Sequence, residues 1–316
     1  MHMVLACLRR AVLAGGLAAA LAGPALAAWA PTPFTPEVGS RWLVLVEDSS
    51  VDAARSTTRT ATYKFDLKYT AREGDGFRIS YMLMDAGLTG NAPSVMVARG
   101  AVEALRGVIV RAVTDAAGRP LRVENEEAVR NSMRGLSSRF LIPYRGNPQL
   151  TQILNQMFDQ LTSATGPAAV EAFLDPLPLL SGAQNTALQP GEVRSVKSEL
   201  PSPFGGTIAS LKVTRLGADP KPEDYTVVET ETFDAASVKA AVAALSERLA
   251  PAAEPSGADI RAKLPEIKLS VTKTRTVEVK DGIARAAQTE ETTRGNAGTV
   301  SVDSTRTIHV TVIPIP

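Results

Sequence analysis

Along the chain the spacing of apolar positions alternates between two periods, and each change marks an element. Tyr63, Phe65, Leu67 and Tyr69 alternate with Lys64, Asp66, Lys68 and Thr70, so an extended chain puts the aromatic set on one face and the polar set on the other. Glu73-Gly74-Asp75-Gly76 is turn chemistry. Phe77, Ile79, Tyr81 and Leu83 then resume period two, which predicts a hairpin with its apolar faces together. Trp42 to Val46 reads as a strand before it. Val108 to Thr114 and Leu121 to Asn125 read as a second pair around the turn Asp115-Ala116-Ala117-Gly118. Val95 to Arg106 has no clean period and is read as a short helix.

The middle of the chain shifts to helical spacing. Asn125 is placed to cap a helix carrying Val129, Met133, Leu136 and Phe140. Asn147-Pro148 opens another, with Leu150, Ile153, Leu154, Met157, Phe158 and Leu161 on one stripe. Proline suits a first helical position because the N–H it lacks has no partner there. A short helix follows Gly166-Pro167 with Val170, Phe173 and Leu174, and Asp175 to Pro178 ends it.

From Gly191 the strand period returns over Val193 to Leu200, Thr207 to Leu216 and Tyr225 to Phe233. Asp234 then caps a helix bearing Val238, Ala241, Val242, Leu245 and Leu249. Three further strands, Ile267 to Val279, Ile283 to Arg294 and Thr299 to Val312, are joined by turns at Asp281-Gly282 and Gly295 to Gly298. The expected fold is α+β: a large curved antiparallel sheet of about eleven strands, in one meander or two, with amphipathic helices packed on one face. Pro36 to Trp42 and Gln189 to Arg194 each open a meander after a Pro/Gly turn. A shared way of starting a strand accounts for this echo as well as an old duplication does.

The first 27 residues set the compartment. Arg9 and Arg10 precede the apolar run Ala11 to Ala22, and Gly23, Pro24 and the small-residue site Ala25-Leu26-Ala27 follow. This is the pattern of a cleaved secretory signal. The run spans about a dozen residues, short of the roughly 20 that cross a bilayer. Arg9-Arg10 also raises twin-arginine export, with the general secretory route as the default. Cys7 precedes the apolar run and so is misplaced for lipidation. The expected organisation is 1–27 signal peptide, 28–250 an α+β domain with a sub-boundary near 187, 251–264 an Ala/Pro linker, and 265–316 a three-stranded segment of the same sheet. Richness in Ala, Arg and Val points to a bacterial source, and hence to a periplasmic or secreted protein.

Charge and composition narrow the chemistry. Without Arg9 and Arg10 the 34 basic residues become 32 against 33 acidic ones, a balance with no footprint for nucleic acid. Cys7 is the only cysteine and, after the leader, His309 the only histidine, so a zinc site of His and Cys ligands has no donors. No cofactor is expected, and no membrane-spanning helix after signal cleavage.

His309 shares the polar face of the last strand with Asp303, Thr305, Thr307 and Thr311, where a general base would have to work from a solvated sheet. Ser270-Val271-Thr272-Lys273 has the Ser-x-x-Lys spacing of acyl-transfer enzymes, but on a strand residues three apart face opposite ways. The acidic groups Glu124-Asn125-Glu126-Glu127, Glu229 with Glu231, and Glu290-Glu291 read as a helix start and solvated faces.

What remains is the aromatic stripe of Tyr63, Phe65, Tyr69, Phe77 and Tyr81, with Met157 and Phe158 on a facing helix. These are the candidate ligand-binding residues, lining an apolar site for a lipid or a lipidated protein; Met and aromatic side chains suit adaptable pockets. An ordinary sheet-to-helix core is the alternative for the same residues. A leader, about eleven antiparallel strands and interposed helices give an element order that resembles the periplasmic lipoprotein carriers, and Val38-Gly39-Ser40-Arg41-Trp42 is similar to exported β-rich bacterial families of unknown function. The carrier resemblance implies a half-barrel closed by helices over an apolar cavity, although the roughly 288 residues left after the leader exceed a minimal carrier. The function expected is non-enzymatic binding of a hydrophobic ligand. Its rivals are an envelope interaction module using exposed strands of the C-terminal region, and a carboxylate- or serine-based hydrolase.

Overall fold

The computed structural model describes residues 29–91, 105–140, 162–201, 207–249, 268–297 and 300–316, with isolated positions between them. The leader 1–27, the linker 251–264 and most of the helix expected from Asn147 to Leu161 lie outside the described residues. Eleven strands form one open antiparallel sheet. The first five are β1 (Arg41–Asp52), β2 (Thr57–Glu73), β3 (Gly76–Gly90), β4 (Ile109–Thr114) and β5 (Pro120–Val123). The other six are β6 (Val193–Pro201), β7 (Thr207–Leu216), β8 (Asp224–Phe233), β9 (Lys268–Lys280), β10 (Ile283–Ala297) and β11 (Val300–Ile315). Four helices are described: α1 (Glu126–Phe140), α2 (Pro167–Phe173), α3 (Leu177–Leu180) and α4 (Ala235–Leu249). Two of them have seven residues or fewer, so the sheet outweighs the helices more than a mixed α+β reading implies.

The spatial order is β5-β4-β3-β2-β1-β11-β10-β9-β8-β7-β6. Each half is a simple meander, and the first and last strands meet in the middle, with Arg41 opposite Ile315 and Asp52 opposite Ser304. The C-terminal strands are therefore interior and paired on both sides, and among the described residues the edge strands are β5 and β6. This corrects the expectation that exposed strand edges belong to the C-terminal region: pairing with the N-terminal half consumes them. Several strands outrun their apolar pattern. Trp42 to Val46 is extended to Asp52 because two neighbours hydrogen-bond that polar tail.

Along β1, β2 and β11 alternate residues face inward, and the strands place Val44, Val46, Leu67, Val310 and Val312 in the main core. From the other side α1 contributes Val129 and Met133, α2 contributes Phe173, and α3 contributes Leu177 and Leu180. In sequence these helices lie between edge strand β5 and edge strand β6, and they pack on one face of the sheet. Asn125 stands where a capping residue was expected, with its carbonyl accepting from the Val129 N–H at 3.1 Å. Its side chain is spent elsewhere, accepting from the Arg111 N–H and donating to the Ile109 carbonyl, both at 2.8 Å. Asp234 does cap α4, accepting from the Ser237 N–H at 2.8 Å. A smaller core of Ile208, Val238 and Ala241 lies between α4 and the sheet.

One end of the layered structure is tied shut by the segment after α3. Buried Gln184 donates to the Ala117 carbonyl at 2.8 Å and accepts from the Ala284 N–H at 2.9 Å. Asn185 donates to the Ala116 carbonyl and accepts from the Phe34 N–H. The β4–β5 turn, the N-terminal segment and β10 are thus held to one stretch of chain. Gly118 in that turn has φ +76°, and a Cβ there would sit 2.8 Å from the Phe34 ring; both the backbone and the close approach require glycine.

Candidate functional site

The aromatic stripe separates into two groups. At the tied end Tyr69, Phe77 and Phe34 pack edge to face, with ring centroids 5.5 to 5.9 Å apart. Tyr69 borders a gap there of only about 30 Å³, about the volume of one water, so this group is filled core. Farther along the sheet Tyr63, Phe65 and Tyr81 line a cavity of about 300 Å³. Phe65 stacks on Tyr81 at 4.6 Å and 12°. Phe158 is buried and is not among the lining residues, and Met157 lies outside the described residues.

The cavity is walled by the inner face of the sheet on one side and by Ala172, Phe173 and Pro176 of α2 and its following turn on the other. Val102 and Leu105 add apolar surface from the stretch expected to be a short helix, and both are helical. Leu83 and Ile308 complete a largely hydrocarbon lining.

A charged cluster closes one side of this apolar space. Asp48 on β1 is 5% exposed. Its Oδ2 accepts from Arg59 Nη2 of β2 at 2.6 Å, while Arg306 of β11 donates Nε to Oδ1 at 3.0 Å and Nη2 to Oδ2 at 2.9 Å. Asp48, Arg59, Arg306 and Asp175 all line the cavity. Burial opposes the charge on Arg306, but the hydrogen bonds and charge of Asp48 hold its pKa above the ordinary value. The Tyr63 hydroxyl is pushed up by burial and by Asp48, and Tyr81 further up by burial and by Asp175. Two buried polar atoms among the lining residues, Arg59 Nε and Tyr81 Oη, have no hydrogen-bond partner.

Three strands contributed a legible signal for this cluster that the period alone did not turn into a site. Asp48 is in phase with Trp42, Val44 and Val46. Arg59 is in phase with Tyr63 and Phe65, and Arg306 with Ile308, Val310 and Val312. A charge on the apolar phase of a strand must be buried with a partner or lie where the apolar layer ends.

From Arg306 the charges continue across the sheet with alternating sign. Arg306 is opposite Glu291, Glu291 opposite Lys273, Lys273 opposite Glu231, and Glu231 opposite Lys212. Glu229 in the same region accepts from Arg275 Nη2 at 2.6 Å, and Glu231 from the Ser210 hydroxyl at 2.7 Å. The inner face therefore passes from hydrocarbon to a ladder of alternating charges.

The remaining candidates are dispersed. His309 is exposed and sits opposite Glu47 and Gln288 on the outer face, while Asp303, six residues away, pairs with Arg294 at 3.5 Å. Six residues of strand span roughly 20 Å, too far for a proton relay. Ser270 is exposed, and Lys273 lies on the opposite face of β9. Glu126 accepts from the Gly166 N–H and pairs with Arg130, and Glu124 pairs with Arg78 and Arg122. Among the described residues no group of three or more His, Cys, Asp or Glu could hold a metal, and no helix is long and apolar enough to cross a membrane.

No family model matches the chain, and no curated protein matches it in sequence. Among solved structures, one described as lipid–protein interactions in lipovitellin is similar at a TM-score of 0.41 and 10% identity, over 89% of this chain and 25% of that one. DynF from the dynemicin biosynthesis pathway of Micromonospora chersina is similar at a TM-score of 0.20 and 9% identity, over 96% and 92% of the two chains. The chain spans about a quarter of the lipovitellin chain. At these scores neither likeness carries an argument about function.

Proposed function

We propose that this is a non-enzymatic exported protein, periplasmic or secreted, that binds one apolar chain of a lipid or lipidated partner between the inner face of the sheet and α2. The observation that carries the reading is the cavity of about 300 Å³ lined by Phe65, Tyr81, Leu83 and Phe173. Ligand sites run from roughly 300 to 1,000 Å³, so this volume suits a single chain better than a whole two-chain lipid. The aromatic and aliphatic walls supply burial without directional demands, about 25 cal/mol for each Å² of apolar surface removed from water. Export rests on the leader pattern of residues 1–27.

Native mass spectrometry and organic extraction of the purified protein test the binding. The expected result is a co-purifying lipid, displaced by a neutral fluorescent apolar probe. Ala172→Leu, on the α2 wall, is expected to fill the space and abolish both signals while circular dichroism stays unchanged. A protein that carries no lipid and binds no apolar probe overturns the reading. Export is tested separately by the mass of the extracytoplasmic form, expected to start near residue 28.

A further inference from the structure

The register of the strands gives the cavity a direction, an inference that rests on the apolar-binding reading and deepens it. Arg306 lies opposite Ser50 of β1, and Ser50 opposite Arg59 of β2, so the two arginines start from one row across the sheet. Asp48, two residues inward on β1, accepts from both. Phe65 lies opposite Val44 on one side and Leu83 on the other. That row is six residues from Ser50 along β1, about 20 Å at roughly 3.3 Å per residue. Beyond it Tyr81 is opposite Val110. The cavity borders all of these rows, so it is elongated along the strands.

Its two ends differ in chemistry. At the row of Arg59 and Arg306 the lining is charged, and the Arg306 side chain is 39% exposed, so that end meets solvent. At the far end Leu83, Val102 and Val110 are buried, and Leu105 and Val108 pack against the main core. A polar group carried to the far end loses its hydration among hydrocarbon with nothing to replace it. A hydrocarbon end laid over Asp48 and the two arginines takes water from charged groups and offers no hydrogen bond in return. Both costs vanish when the polar part of the occupant stays at the arginine row and the apolar part points away from it.

We infer that the occupant is a single-chain amphiphile held in one direction, its polar head at the row of Arg59 and Arg306 and its chain end among Leu83, Leu105 and Val110. An extended chain advances about 1.3 Å per methylene, the projection of a C–C bond of about 1.5 Å, so roughly 12 to 15 carbons fill the run between the two ends. The shared chemistry is one acyl chain behind a polar head, which either a single-chain phospholipid or an acylated polypeptide supplies.

Photo-crosslinking of the full-length mature protein tests the direction. The probes are two myristoyl lysophosphatidylcholines that carry a diazirine either at the chain end or beside the ester. The chain-end diazirine is expected to label peptides containing Leu83 or Leu105 to Val110, and the ester-side diazirine peptides containing Asp48 or Ile308. Excess unlabelled lipid is expected to remove both signals. A myristoylated peptide with the same two diazirine positions identifies the source: labelling in this order by either compound supports the inference, and by neither overturns it. The reverse order, or one set of peptides labelled by both diazirines, overturns the inference and leaves apolar binding standing. If no label is competed by lipid, the apolar-binding reading itself falls.

Chain length supplies a second readout. Affinity for saturated lysophosphatidylcholines is expected to rise roughly fourfold per added methylene and to level off once the chain reaches the far end. Leu105→Ala gives up side-chain volume there and is expected to move the plateau to chains about two carbons longer. A plateau that does not move overturns the assignment of the chain end to Leu105.

Discussion

Arg306 and Asp48 lie 258 positions apart in sequence and are joined by two hydrogen bonds of 3.0 and 2.9 Å across the β1–β11 seam. The pair is clamped from the other side by Arg59. Removing the shared carboxylate leaves two guanidinium groups facing each other in a largely buried place. Asp48→Ala is expected to cost about 3 kcal/mol, read as a lower urea midpoint. The triple change Asp48→Leu, Arg59→Met, Arg306→Met removes every charge of the clamp together and is expected to recover most of that loss.

Gln184 spends both ends of its amide inside the protein, on Ala117 and on Ala284. Gln184→Ala leaves a partly buried carbonyl and a buried N–H unmet, for an expected loss of about 2 kcal/mol. Hydrogen exchange locates the effect: the Ala284 amide should lose protection out of proportion to neighbours elsewhere in β10. Uniform loss along the strand would mean that Gln184 is not the tie described above.

Tyr81→Phe deletes a hydroxyl that finds no partner. In ligand-free protein the variant is expected to be as stable as the parent or more stable, by up to about 1 kcal/mol. A clear drop in thermal midpoint would show that the hydroxyl is already satisfied.

Buried phenols also set a limit at alkaline pH. Burial pushes Tyr225 up to about 12 and raises Tyr69 and Tyr81 further, whereas in the unfolded chain they ionise near 10. Above about pH 10 the unfolded state releases these protons and the folded state retains them, so folding stability falls as pH rises. Below that value the contribution is fully present. Urea midpoints are expected to hold steady up to about pH 10 and to fall steeply between about pH 10 and 12, with tyrosinate absorbance appearing together with unfolding. Tyrosinate that appears well before unfolding would contradict the burial of these rings.

Much of the sheet was legible because half-buried strands declare themselves by alternation. Tyr63 to Tyr69 and Phe77 to Leu83 form the hairpin that their pattern implies, with Phe65 opposite Leu83 and Tyr69 opposite Ile79. What period two cannot convey is which strands become neighbours. Nothing local in Arg41 to Asp52 says that Ile315 to Ser304 will lie beside it, and without that pairing Asp48 and Arg306 look like two unrelated surface charges. The same limit applies to the aromatic stripe. Tyr69 and Tyr63 share a face six residues apart, and only the position of Phe34 decides that one is packed solid while the other borders open space.

Because the opening and closing strands lie side by side in the middle, the connectivity behaves as a ring that happens to be cut at its centre line. During N-to-C synthesis β1 has one flank bare until the 16 residues of β11 arrive, so cooperative assembly of the sheet must wait for that strand. By the same logic a short splice between the neighbourhoods of Arg41 and Ile315, with new ends opened at a hairpin tip such as Gly74, should yield a permuted chain that reaches the same arrangement.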